Sequence, residues 1–191
     1  MLRTLTDFGD LALLLPLAVI VTVWLVAIHQ LRALVWWLAA LALCMGVTAV
    51  LKIYFFVCPP LADLHSPSGH TSFSTLVYGA LTLAVAIAVS DWKRVAVLLA
   101  GAAFIMAIGI SRIAIQVHSI PEVLVGWLIG VAALAVFASR FWPDRPAAPR
   151  VQGLVIASVA FVVMLHGQAL QAEGILHAVG LYLSHAGMAC F

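Results

Sequence analysis

Ser111-Arg112-Ile113-Ala114-Ile115-Gln116-Val117-His118-Ser119-Ile120-Pro121-Glu122 sets a guanidinium, an imidazole and a carboxylate between two uncharged apolar stretches, Val95 to Ser111 and Val123 to Ser139. Ionisable groups at the edge of membrane-spanning segments cost free energy unless they pair or bind something. Two readings are open. In one, Ser119-x-x-Glu122 with Pro121 is a capping box that starts a helix, and Arg112 is an interface anchor. In the other, Arg112, His118 and Glu122 are parts of a polar site at membrane depth. Both readings require long apolar helices on either side of the stretch, and that requirement sets the fold.

The rest of the chain meets it. Of 191 residues 65% are apolar and only 8% charged, and the mean hydropathy is +1.20. A soluble domain carries roughly a quarter charged residues, so the composition predicts an integral membrane protein. A net charge of +2, without a basic run or a stacking platform, excludes nucleic acid as a partner. Cys44, Cys58 and Cys190 are scattered and odd in number, which predicts free thiols and neither a metal cluster nor a disulfide framework.

A bilayer core of ~30 Å takes about 20 helical residues. Uncharged apolar stretches of that order run from Leu11 to Ile28, Ala33 to Leu51, Thr71 to Ser90, Val95 to Ser111, Val123 to Ser139 and Val151 to Ala172. The expected fold is all-α: a polytopic membrane bundle of about six transmembrane helices forming one domain over residues 1–191. Its core is residues 33–139 and its sixth helix residues 151–172. The link from Arg140 to Arg150, with Pro143, Pro146 and Pro149, reads as a surface loop. Residues 173–191 read as an interfacial tail; His166, His177 and His185, spaced by eleven and eight, are a poor metal signature. Asp7 and Asp10 ahead of the first span argue against a cleaved signal peptide. Gly126-x-x-x-Gly130 marks a close helix approach, either inside the bundle or in a homodimer.

Basic residues set the sidedness. Arg3, Lys52 and Arg112 fall on the face that carries the opening stretch; Arg32, Lys93, Arg94, Arg140, Arg145 and Arg150 fall on the other. The bias of Lys and Arg toward the cytoplasm turns the first face outward. In a bacterium that is the periplasmic face of the inner membrane.

Two more polar islands share that face. Lys52 ends the second span, where it either snorkels to the interface or turns inward toward an anion. His65-Ser66-Pro67-Ser68-Gly69-His70-Thr71 opens the third span. Ser68 is a natural N-cap, and Gly69 allows close approach of a ligand to the free amides of the first turn. Antiparallel neighbours bring Lys52, Ser68, Gly69, His70, Arg112 and His118 to a common depth. Two cations, a helix N-terminus and two imidazoles are the parts of a phosphate site with a nucleophile and an acid. Glu122, four residues after His118, is placed to fix the imidazole tautomer.

The order Lys-x6-Arg-Pro, Pro-Ser-Gly-His and Ser-Arg-x5-His-x3-Asp marks the type 2 phosphatidic acid phosphatase superfamily, which this chain resembles from Lys52 to Glu122. Pro67-Ser68-Gly69-His70 is complete and Ser111-Arg112-x5-His118 keeps its spacing. The resemblance implies a membrane-embedded phosphatase with lipid phosphates as substrates and no metal or other cofactor. It implies His118 as nucleophile forming a phosphohistidine, His70 as acid and later base, and Glu122 orienting His118. Lys52, Ser68, the Gly69 amide and Arg112 would hold the phosphoryl oxygens. Undecaprenyl diphosphate, phosphatidic acid and phosphatidylglycerol phosphate are the substrate candidates it suggests. Two positions depart from the pattern. Pro59 replaces the arginine of the first motif, leaving His65 as an accessory donor, and Glu122 replaces the final aspartate. A lipid-to-lipid phosphotransferase is a close enzymatic alternative, and Pro59 favours a second one, a weakened headgroup-binding or transport protein.

Overall fold

In the computed structural model, residues 2–58, 64–142, 151–168, 174 and 181–182 are described. Pro59, the 143–150 link, Cys190 and most of the expected tail, His177 and His185 included, lie outside the described residues.

Three of the helices begin at a residue whose side chain caps them. After a short helix α1 (Leu2–Asp7), Asp10 caps α2 (Leu11–Ala27) by accepting from the Ala12 amide. α3 runs from Leu31 to Val57. Ser68 caps α4 (Gly69–Ala88), and α5 covers Asp91–Ala114. Ser119 opens α6 (Ile120–Phe141) with a complete capping box, and α7 covers Gln152–Leu165. Among the described residues there is no β-strand.

The chain is an all-α membrane protein. α3, α4, α5 and α6 are long and apolar enough to cross a bilayer, whereas α2 and α7 are shorter apolar helices. The sixth expected span, Val151 to Ala172, ends as a helix at Leu165. Its 14 residues rise about 21 Å at 1.5 Å per residue. Gly167 at φ +86 follows directly, a left-handed conformation that closes helices.

α4 lies at the centre: every residue from Thr71 to Ala80 is buried, and the helix packs on α2, α3, α5 and α6. The outer helices show the reverse pattern. Val35, Leu99, Leu128 and Ile156 are each more than 60% exposed, which is the face a lipid solvent requires and water penalises. Gly126 and Gly130 turn toward α4. A Cβ on Gly126 would stand 2.7 Å from the Ser68 carbonyl oxygen, and one on Gly130 2.5 Å from that of Ser72. The small-residue motif therefore seats α6 against α4 inside the bundle.

At the end opposite the polar islands, Arg140 stacks over Trp36 at 4.9 Å and Arg94 over Trp142 at 5.9 Å, a pairing of cations with aromatics suited to a membrane interface. The cysteines meet the free-thiol expectation at Cys44 and depart from it at Cys58. Cys44 is a buried free thiol, but Cys58 is disulfide-bonded. Residue spacing alone could not show this, because disulfides join positions that meet only in three dimensions.

Candidate active site

The link between α5 and α6 is shaped by backbone geometry. The Gln116 amide donates to the Ile113 carbonyl, and Gln116 takes a left-handed φ of 59. The chain folds back so that the Val117 and His118 amides both donate to the Arg112 carbonyl, at 3.2 and 3.4 Å. Arg112 and His118 are thereby held at one end of the bundle despite six positions of separation.

Glu122 is the hub. Its Oε2 lies 2.8 Å from Nδ1 of His118 and accepts from the Ser119 amide at 3.0 Å. Its Oε1 accepts from the amides of His65 and Ser66 at 3.0 and 2.9 Å. The Glu122 carbonyl in turn accepts from the Ser68 amide at 3.1 Å. One buried carboxylate thus ties the histidine link to the loop that precedes α4. Both readings of Ser119-x-x-Glu122 hold together: the capping box is formed, and the same carboxylate meets His118. The extra methylene of Glu122 is no obstacle to that contact.

Lys52 is turned inward. It is 4% exposed, and its ammonium donates to the Ser66 hydroxyl at 3.1 Å. A Cβ on Gly69 would stand 3.5 Å from the Lys52 Cε, so the lysine stem lies beside the start of α4. Ser68 is fully buried; its Oγ accepts from the Thr71 amide and hydroxyl at 3.4 and 2.9 Å. His65 contributes chiefly through its backbone. Its ring is largely exposed, with Nδ1 4.0 Å from Glu122.

Arg112 and His70 meet the N-terminal segment, which the sequence reading used for sidedness and to argue against a signal peptide. Arg112 Nη1 donates to the Thr6 hydroxyl at 3.5 Å, and Thr6 shares a 2.8 Å hydrogen bond with Ser111. His70 Nε2 lies 3.7 Å from Asp10 Oδ2. Thr6, Asp10 and Ser66 are thus the polar residues at this end that motif reading missed. For Asp10 a signal existed: a carboxylate at the head of an apolar span needs a partner.

Burial holds the His118 imidazole below its ordinary value. The Glu122 hydrogen bond and charge oppose this, while the positive charges of Arg112 and Lys52 add to it. A neutral imidazole with Nδ1 held by a carboxylate keeps an unshared electron pair on Nε2. A cavity of about 480 Å³ opens between His65 and the 116–122 link, with His118 and Glu122 in its wall; Lys52, His70 and Arg112 are not part of that wall.

Residues 33–146 match the family model of the PAP2 superfamily. The match covers more than half the chain, takes in every polar group described above except the N-terminal segment, and makes the protein a member of that superfamily. The chain is similar to an "Uncharacterized 22.5 kDa protein in cps region" of Klebsiella pneumoniae, 28% identical over 139 residues. That similarity covers 71% of this chain and 66% of the relative, just under two thirds of its length. No solved structure matches the chain.

Proposed function

We propose that the protein removes phosphate from a lipid phosphate or diphosphate through a phosphohistidine on His118. The observation that carries the proposal is the 2.8 Å contact of His118 Nδ1 with Glu122, at the bundle end that also holds Lys52, Arg112 and the N-terminus of α4. The Nε2 electron pair attacks phosphorus as the bond to the leaving oxygen breaks, and His70 gives that oxygen a proton. Water then attacks the phosphohistidine and loses a proton to His70. The P–N bond breaks, its electron pair returns to Nε2, and phosphate leaves.

Charge develops on the phosphoryl oxygens in both steps. Lys52 and Arg112 meet it, with the free amides at Gly69 and the Ser68 hydroxyl at the positive end of the α4 dipole. The chemistry proposed needs no metal or cofactor. Glu122 keeps the His118 tautomer and steadies the positive charge the ring gains on attack.

The substrate is read as a lipid because the site sits at the ends of helices whose outer faces are aliphatic. Phosphatidic acid, phosphatidylglycerol phosphate and undecaprenyl diphosphate all present such a headgroup on an apolar tail. We place the site on the outer face, periplasmic in a bacterial inner membrane. The smaller count of basic residues on that face supports this, and so does the disulfide at Cys58, since disulfides persist in oxidising compartments.

The test is phosphate release by the purified protein in detergent, in the presence of a metal chelator, from each of the three lipids. Turnover of at least one lipid that is lost in His118→Ala, with acid-labile label trapped on the wild-type protein, is the expected result. Release that survives His118→Ala removes the covalent mechanism. Phosphate appearing on an acceptor lipid instead of in solution would make the protein a phosphotransferase.

A further inference from the structure

The N-terminal segment ahead of α2 is fastened to the bundle at several points. Thr6 hydrogen-bonds Ser111. The Phe8 carbonyl accepts from the Tyr78 hydroxyl at 2.8 Å, and the Phe8 ring packs edge-on against Phe104 at 5.5 Å. Gly9 is pressed against His70: a Cβ there would stand 3.1 Å from the His70 Cβ and 3.2 Å from its Cδ2. Asp10, 8% exposed, follows, with Oδ1 accepting from the Ala12 amide and Oδ2 3.7 Å from His70 Nε2.

We infer that Asp10 is a positioning residue for His70, holding it in the protonated form that delivers a proton to the leaving oxygen. The inference rests on the phosphatase reading above. At 3.7 Å the interaction is one of charge more than of hydrogen bonding, and in a mostly buried setting such charge is weakly screened. The proton that leaves His70 goes to the ester oxygen as the P–O bond breaks, and Asp10 takes no part in the transfer. Among the described residues, the other charged or titratable groups at this end are Asp7 on α1, Lys52 on α3, His65, Arg112 at the end of α5, His118 and Glu122. Both oxygens of Glu122 are engaged by His118 and three backbone amides, whereas Asp10 directs an oxygen at His70. The two histidines thus have separate carboxylates, one for the nucleophile and one for the acid.

Asp10→Asn separates the charge from the cap, because Asn caps helices about as well as Asp; Asp10→Ser does the same with a different side chain. Full-length variants in detergent would be assayed on a short-chain phosphatidic acid, whose alkoxide leaves poorly, and on para-nitrophenyl phosphate, whose leaving group needs little protonation. In both variants kcat on the lipid is expected to fall about tenfold or more, within the range general acids contribute, with a much smaller fall on the aryl ester. The alkaline limb of the lipid pH–rate profile should move to lower pH, since His70 then loses its proton sooner. Equal losses on both substrates with an unmoved limb would overturn the inference and leave Asp10 a helix cap only. Failure of the phosphatase reading shows separately, as undiminished release from His118→Ala.

Discussion

His118 Nδ1 and Glu122 Oε2 stand 2.8 Å apart, four residues along the chain yet on opposite sides of a helix boundary. His118 precedes the Ser119 cap and Glu122 sits in the first turn of α6, so the start of one helix fixes the imidazole. The same carboxylate binds the His65 and Ser66 amides and therefore couples His118 to the loop ahead of α4.

Glu122→Gln should separate these roles. The amide keeps an oxygen for the His65 and Ser66 amides but loses the charge that favours imidazolium. A fall in kcat of about 10²-fold or more is expected, by analogy with the loss on neutralising the orienting acid of a triad, with a small change in melting temperature. Glu122→Ala strands several buried amides, each costing about 1–3 kcal/mol if left unsatisfied, and should unfold at clearly lower temperature.

Acid pH should silence the enzyme through His118. Its folded-state pKa lies below the ordinary 6.5 because of burial, so the imidazole is neutral at pH 7 and nucleophilic. kcat/KM should rise with pH along an acid limb centred below 6.5 and be level above it until another group titrates. The stability sign is the same: a depressed pKa means the unfolded chain binds more protons, so His118 lowers stability as pH falls below 6.5. A pH–rate profile paired with melting curves over the same range checks both.

Lys52→Met keeps the stem volume in its buried seat beside Gly69 and removes the charge. Measured on a lipid phosphate, kcat/KM should fall about 10²- to 10³-fold, the usual loss for one oxyanion donor, while the helical circular dichroism stays unchanged. Retained activity would remove Lys52 from the phosphate site.

Gly130→Leu forces a side chain into the seat occupied by the Ser72 carbonyl and Thr75. Overpacking of this kind costs about 1–3 kcal/mol, and the melting temperature should drop accordingly. The same substitution at Gly153, where a Cβ meets nothing within 4 Å, should leave it nearly unchanged.

Thiol labelling tests the cysteines. Alkylation in denaturant followed by peptide mapping should label Cys44 without reductant and Cys58 only after reduction.

The helices were legible in the sequence because their signals are local. Apolar runs of membrane length lie between short polar links, and Ser68 and Ser119 stand where a cap is needed. Helix parity placed Lys52, His70 and Arg112 at one end of the membrane, which needs only counting. The end of α7 was overrun because Val151 to Ala172 carries no charge to stop it, and the left-handed Gly167 that does so reads in sequence as one more small residue.

What the sequence determined by itself is the membrane class, the helix order and the residue types that fit phosphate chemistry, since these follow from composition and spacing. Only the tertiary structure decided that Lys52 turns inward to Ser66, that Gly126 and Gly130 face α4, and that Glu122 serves cap and histidine at once. It alone brought Asp10 to His70, sixty residues on. Side-chain direction and long-range pairing depend on how helices rotate and close upon one another, and that is a property of the packed bundle.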